Sequence, residues 1–210
     1  WPMPADWPDF PSATQMLSYL RGYADRWRLR EHLELSTRVT WVEPDRDGTW
    51  RVTLAQGDAT TIRRYGGVVV CNGHHWDRRW PSYPGTFAGT MIHAKDYKRA
   101  DQLAGQRVLV IGGGNSACDI ACEAARTATA AHISMRRGYW FMPKTMFGMP
   151  TAELMQPWLP VRVQRAIIKT MCRVIVGPYT RYGLAEPDHE PFEYHPTING
   201  ELLHYLRHGR

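Results

Sequence analysis

The chain has 210 residues and 24.1 kDa, enough for one large domain or two small ones. Its 43% hydrophobic residues exclude a fully disordered chain, and no run approaches the roughly 18 apolar residues of a membrane span. With 26 basic and 20 acidic side chains the net charge is +6, modestly basic, and no recognition motif or basic–aromatic interleaving supports nucleic-acid binding.

The opening, Trp1 to Pro11, is too rich in proline for a helix. Ser12 is a candidate N-cap for a helix in which Met16, Leu17, Leu20, Tyr23, Ala24 and Trp27 recur at helical spacing. Leu33 to Trp41 and Trp50 to Leu54 alternate like strands, joined by a turn at Pro44 to Gly48. Arg63 to Cys71 ends in Val68-Val69-Val70-Cys71, which predicts a buried strand stopped by Asn72-Gly73. Pro81 to Gly89 is rich in Pro and Gly and predicts a domain crossing.

Arg107 to Ile111 then reads as a strand, Gly112 to Gly114 as a turn, Asn115 to about Ala128 as a helix, and Ala131 to Met135 as a second strand. That succession predicts a parallel sheet. Val161 to Val176 reads as an amphipathic helix. Arg162, Arg165, Lys169 and Arg173 share one face, with Ile167, Ile168, Met171, Val174 and Ile175 largely opposite. Packing of the apolar face on its own domain is favoured over contact with an anionic membrane. The cluster Trp140, Met142, Met146, Met149 and Trp158 fits either a substrate channel or ordinary core.

Cys71, Cys118, Cys122 and Cys172 form no C-x-x-C pair, so they predict buried thiols in a reducing, cytoplasmic setting rather than a metal site or disulfides. His204 and His208 lie four apart, a surface pair in want of a third ligand. Trp1 opens the chain, no signal peptide precedes it, and the last segment stops without an evident terminator. Together these features predict a piece of a longer chain.

Most of the chemistry lies in Gly112-Gly113-Gly114-Asn115-Ser116-Ala117, which fits G-x-G-x-x-G/A between an apolar strand and a helix. Gly112 permits the tight turn and Gly114 lets backbone approach a pyrophosphate. Ala117 keeps the helix near the sheet, and the helix N-terminus offers free N–H groups and the positive dipole end. Arg136 and Arg137 follow at the end of the next strand, 24 and 25 positions after Gly112. An acidic residue there would bind a ribose 2′-hydroxyl. Two guanidinium groups suit a 2′-phosphate, which predicts NADPH over NADH. The rival reading, a G-x-S-x-G nucleophile elbow at Gly114-Asn115-Ser116-Ala117-Cys118, ends in Cys and lacks a triad partner.

Phe87, Gly89, His93 and Tyr97 have the form F-x-G-x-x-x-H-x-x-x-Y, which resembles the identifying motif of flavin-containing monooxygenases. Their Baeyer–Villiger relatives usually carry Trp-Pro where this chain has Tyr97-Lys98. Val70 to Trp76 resembles the family's link between flavin and NADPH domains, with His74-His75 beside the flavin or in an ordinary loop. Ser134 to Gly138 resembles its 2′-phosphate-binding strand end, and His195 to Asn199 a late segment of its NADPH domain.

The resemblance implies an α/β, Rossmann-like flavoprotein with two dinucleotide-binding domains and a parallel sheet in the NADPH domain. Residues 1–80 would be part of the FAD domain and 81–210 a truncated NADPH domain. Val39, Asn72 and Gly73 are implied as FAD contacts; Gly112, Gly114, Asn115, Ser116, Ala117, Arg136 and Arg137 as NADPH contacts. The implied reaction uses NADPH, FAD and O2. A flavin hydroperoxide gives its distal oxygen to a nucleophilic nitrogen or sulfur of a small organic substrate, with no catalytic side chain required. The alternatives are Baeyer–Villiger oxidation of ketones and a non-catalytic NADPH-binding module. The family's flavin-proximal Asn falls on Ala13. Either Ser12, Thr14 or Gln15 replaces it, or NADPH oxidation is uncoupled and releases H2O2. The family's first glycine fingerprint, for FAD, does not occur in these 210 residues, so the fragment alone is expected to be inactive and to hold FAD weakly.

Overall fold

A computed structural model describes residues 1–210 other than His74, Phe147 and Met155. The reading of His74 beside a flavin therefore lies outside the described residues. The chain divides into two compact units, Trp1–Asp77 and Arg78–Arg210.

In the first unit, helix α1 (Ala13–Arg26) begins where the proline-rich opening ends. Ser12 caps it in both directions. Its Oγ accepts from the Gln15 amide at 3.3 Å, and Gln15 Oε1 accepts from the Ser12 amide at 2.8 Å. The Tyr19 hydroxyl donates to the Trp1 carbonyl at 2.6 Å, tying the opening to the helix. Strands β1 (Arg38–Pro44), β2 (Trp50–Gln56) and β3 (Ala59–Tyr65) then form an antiparallel meander. Only Val52 and Leu54 of this sheet are buried.

Two sequence expectations fail here. Residues 33–37 are not strand; a 3-10 turn at Leu29–His32 precedes β1 instead. The Val68–Cys71 run is neither strand nor buried. Val69 is 85% exposed and Val70 77%. A run of β-branched residues becomes a buried strand only when neighbours supply a ladder on its edges and cover for its faces, and no described strand pairs with it.

In the second unit, strand β4 (Arg107–Ile111), helix α2 (Asn115–Thr127) and strand β5 (Ala130–Ser134) form the expected βαβ unit. The two strands are parallel, from Arg107↔Ala130 to Ile111↔Ser134. Side chains of β4 alternate, so Val108 and Val110 are half-buried while Leu109 and Ile111 are exposed. Cys118, Ala121, Cys122 and Ala124 form the buried face of α2. Short strands follow: β6 (Phe141–Met142), the hairpin β7 (Thr145–Met146) with β8 (Met149–Pro150), and β9 (Thr197–Ile198), which pairs in parallel with β6. Helix α4 (Glu201–Arg207) packs on α2 through Leu202 and Leu203. An Arg126–Glu201 ion pair and a 2.7 Å bond from Arg126 Nε to the Tyr205 hydroxyl fasten the two helices.

Helix α3 (Val161–Ile175) forms as predicted but buries a different face. Ile168 and Cys172 are enclosed, while Ile167, Val174 and Ile175 stay exposed. The loop after α3 receives the basic side instead. Lys169 pairs with Glu190 at 2.5 Å, and Arg165 donates to the Pro191 carbonyl at 2.9 Å. The Met–Trp cluster splits: Met142 and Met146 are core, Trp140 is half-buried, and Met149 and Trp158 are exposed.

Candidate nucleotide-binding site

The site grows from the bend between β4 and α2. Gly112 adopts φ +133°, a conformation other residues rarely reach, and its amide donates to the Ser134 carbonyl of β5 at 2.9 Å. A Cβ at Gly112 would lie 3.5 Å from Ala117 Cβ, so this close pair sets helix against strand as the motif predicts. Nothing lies within 4 Å of a Cβ placed on Gly114, so the backbone there faces open space. Gly114 caps α2, and the first helical hydrogen bond runs from the Cys118 amide to the Gly114 carbonyl at 3.0 Å. The amides of residues 113–117 donate to no described protein atom. Five free N–H groups at a helix N-terminus, beside an open glycine, can receive a diphosphate.

One wall of the bend is filled. The Tyr139 ring lies against Gly113, where no side chain could fit. The Gly113 carbonyl accepts from the buried Thr197 hydroxyl at 2.9 Å. Asn115 Oδ1 accepts from the Ile198 amide at 2.7 Å, so this side chain binds β9 and leaves only its backbone amide to a ligand. Asn199 continues the clasp, donating to Asp119 at 2.8 Å and accepting from the Leu202 amide at 2.8 Å. Ser116 is exposed, and its hydroxyl has no hydrogen-bond partner among the described residues.

Arg136 and Arg137 leave β5 differently. Arg136 is exposed and has no described partner. The Arg137 guanidinium carbon lies over the Tyr194 ring, 3.7 Å from its centroid, and Arg137 forms no ion pair among the described residues. Gly138 is buried beneath the backbone carbonyls of Ala185 and Glu186. Among the described residues neither arginine forms a salt bridge, so both guanidinium charges are unneutralised, and with the open backbone at Gly114 the residues present are of the chemistry a phosphorylated nucleotide needs.

The F-x-G-x-x-x-H-x-x-x-Y segment is held by its own signature residues. The Phe87 ring covers the Cα of Gly89. His93 Nδ1 accepts from the Lys95 amide at 3.1 Å and its ring meets Trp80 edge-on at 5.6 Å. The Tyr97 hydroxyl bonds to Glu123 on α2, and burial, then Glu123, pushes the phenol up to about 12. Of these contacts the Tyr97–Glu123 bond ties the segment to α2, and the others hold the segment to itself and to Trp80.

Residues 1–204 match the model of the family described as Flavin-binding monooxygenase-like. The chain belongs to that family. This flavin-binding monooxygenase-like chain is 31% identical over 229 residues to flavin-containing monooxygenase 5 of Homo sapiens, covering all of itself and 42% of that relative. It thus spans less than half the relative's length. A double-substituted flavin monooxygenase from Stenotrophomonas maltophilia superposes with a TM-score of 0.61 at 28% identity, covering 73% of this chain and 44% of the other. A complex of OTEMO with FAD and NADP gives a TM-score of 0.50 at 28% identity over 66% of this chain and 27% of that one. The fold is accordingly α/β and Rossmann-like.

The structure brings Gly112, Gly114, Ser116 and Ala117 together at the bend and sets Arg136 and Arg137 at the end of the adjoining strand. Val39, Asn72 and Gly73 lie in the other unit, each exposed, with Gly73 at φ +71°. Sequence reasoning missed the roles of Thr197, Tyr139, Gly138 and Tyr194. Thr197 is 84 residues from Gly113, and no local pattern announces a bond across that distance.

Proposed function

We propose that the protein is a flavin-dependent monooxygenase that uses NADPH, FAD and O2 to oxygenate a nucleophilic nitrogen or sulfur in a small organic substrate. The single observation supporting its nucleotide half is the row of free amides at residues 113–117 beside the open face of Gly114. These amides hold the diphosphate of NADPH by hydrogen bonds and by the helix dipole. Arg136 supplies an unneutralised fork for the 2′-phosphate, and Arg137 adds a second charge beside it. Thr197 and Asn115 hold the bend in shape by fixing its backbone to β9. Residues Val39, Asn72 and Gly73 are proposed to contact FAD, and their exposure leaves those positions open to it.

Bound flavin supplies hydride acceptance and oxygen activation; the chain's residues bind, orient and exclude water. The presence of Tyr97-Lys98 rather than Trp-Pro favours amines and sulfides over ketones. NADP+ and NAD+ affinities of the protein, with and without Arg136→Ala and Arg137→Ala, test the nucleotide reading. Selective loss of NADP+ is expected, and equal loss of both removes the assignment. Product analysis against amines, sulfides and ketones tests the substrate class, and a lactone or ester as the sole product would overturn it.

A further inference from the structure

We propose that Tyr194 is a positioning residue for nucleotide selection. Its ring lies under the Arg137 guanidinium and holds that group toward the 2′-phosphate of NADPH without neutralising its charge. The inference rests on the nucleotide reading above and names a residue that the glycine motif and strand-end arginines do not include.

The geometry has three parts. The first is the stack itself. At 3.7 Å from the ring centroid, the guanidinium carbon is at van der Waals contact with the Tyr194 face, far inside the roughly 6 Å reach of a cation–π contact. The Tyr139 ring stands on the same guanidinium at 5.8 Å. Arg137 Nε is buried and has no hydrogen-bond partner among the described residues, while the Tyr194 side chain, and after it Tyr139, raises the pKa of the guanidinium from beside it.

The second part is what supports Tyr194. The His189 ring meets it edge-on at 5.0 Å. His189 is itself enclosed, 8% exposed in its side chain, with its carbonyl accepting from Trp140 Nε1 at 2.8 Å and its Nδ1 3.2 Å from Asp188. The loop over residues 185–194 is seated on Gly138, where the Ala185 and Glu186 carbonyls leave no room for a Cβ. Thus the segment that leads from β5 to Arg137 and the loop that presents Tyr194 are held together one residue past the arginine.

The third part is electrostatic. A carboxylate partner would orient Arg137 equally well, but would neutralise it and occupy its donors. An aromatic face orients the plane while leaving the terminal N–H groups and the positive charge for a dianion. Asp188 is an acidic group beside His189 in the same loop. Its carboxyl is held below the usual range chiefly by His189, with Arg137 contributing least, and it forms no ion pair with the arginine.

The test is equilibrium binding of NADP+ and NAD+ to the whole protein, read by calorimetry without turnover. Tyr194→Leu removes the π face and keeps apolar bulk. It should weaken NADP+ by roughly 3- to 10-fold, the size of a partly exposed cation–π contact, and leave NAD+ within twofold. Tyr194→Phe keeps the face and should retain the native NADP+ to NAD+ ratio. In an Arg137→Ala background, Tyr194→Leu should have no further effect on that ratio. Equal weakening of both nucleotides by Tyr194→Leu, or an undiminished effect without Arg137, overturns the proposal in favour of a merely structural tyrosine. An unchanged ratio in Tyr194→Leu, with Arg137→Ala still selective against NADP+, overturns it while the nucleotide reading stands. If neither the arginine nor the tyrosine variants alter the ratio, the nucleotide reading itself falls. Thermal melts of each variant show whether a lost ratio reflects lost folding.

Discussion

At the residue scale, small groups matter because backbone passes where a side chain would stand. Gly138 is the plainest case: Gly138→Ala drives a methyl into the Ala185 and Glu186 carbonyls. Backbone cannot yield as a flexible side chain does, so we expect a loss of about 2–4 kcal/mol in thermal or denaturant unfolding. The buried thiols behave in the opposite sense, fitting their space without chemistry. Burial pushes Cys118 up to about 12 and Cys122 and Cys172 up to about 11, from an ordinary 9.0. Raised folded values mean that below about 9 both states keep the proton and the thiols cost nothing. As pH rises from 9 towards 11–12 the unfolded thiols ionise first, so stability falls. Melting temperatures across that window check the sign, and mass-spectrometric mapping should find these three cysteines alkylated only after unfolding. At Ala13 the rescue expected of its neighbours is restricted. Ser12 and Gln15 are spent on capping α1, leaving Thr14 as the exposed candidate. On the proposed function, Ala13→Asn in the whole protein should lower H2O2 released per NADPH consumed, measured by peroxidase-coupled assay.

At the element scale, the helices show how far local sequence rules reach. The Ser12 cap and the alanine-rich body of α2 are read directly from residue order and the structure forms them, while it adds the reciprocal Gln15 bond and Gly114 as the cap of α2. Ser12→Ala should cost about 1 kcal/mol of stability through the loss of one capped amide, seen as a lower denaturant midpoint. The β9 clasp is different, because it forms between elements distant in sequence. Thr197→Val keeps shape but removes the donor to the Gly113 carbonyl, leaving only a long 3.6 Å contact from Cys118 Sγ. We expect about 1–3 kcal/mol of destabilisation and weaker binding of NADP+ and NAD+ alike, since the bend serves the diphosphate they share. The buried face of α3 differs from the one its periodicity predicts for a related reason. Helical periodicity offers two candidate faces, and the acidic Glu190 in a loop beyond the helix selects the side bearing Lys169.

At the scale of the whole molecule, each of the two units exposes apolar side chains. Leu109 is 61% exposed and Ile111 49% on the outer face of β4, and the Val69–Val70 run stands in the open. Parallel sheets are stable with both faces covered. The 210 residues expressed by themselves should therefore bind a hydrophobic dye and retain less than stoichiometric FAD, checked by fluorescence and visible absorbance. The relatives, more than twice as long, carry further chain. Among the described residues no helix is long and apolar enough to cross a membrane.

The sequence by itself determined what depends on near neighbours: the α1 cap, the strand–glycine–helix order around Gly112, the βαβ unit, and the presence of two arginines at the end of β5. Each follows from backbone sterics, helix-end hydrogen bonding or side-chain periodicity within a few residues. Tertiary structure alone decided that Thr197 holds Gly113, that Tyr194 covers Arg137, that Gly138 lies under the 185–186 backbone, and that Val68–Cys71 stays out of a sheet. Those outcomes turn on contacts across tens of residues, or on the lack of a pairing strand, and such contacts leave no periodic trace in the chain.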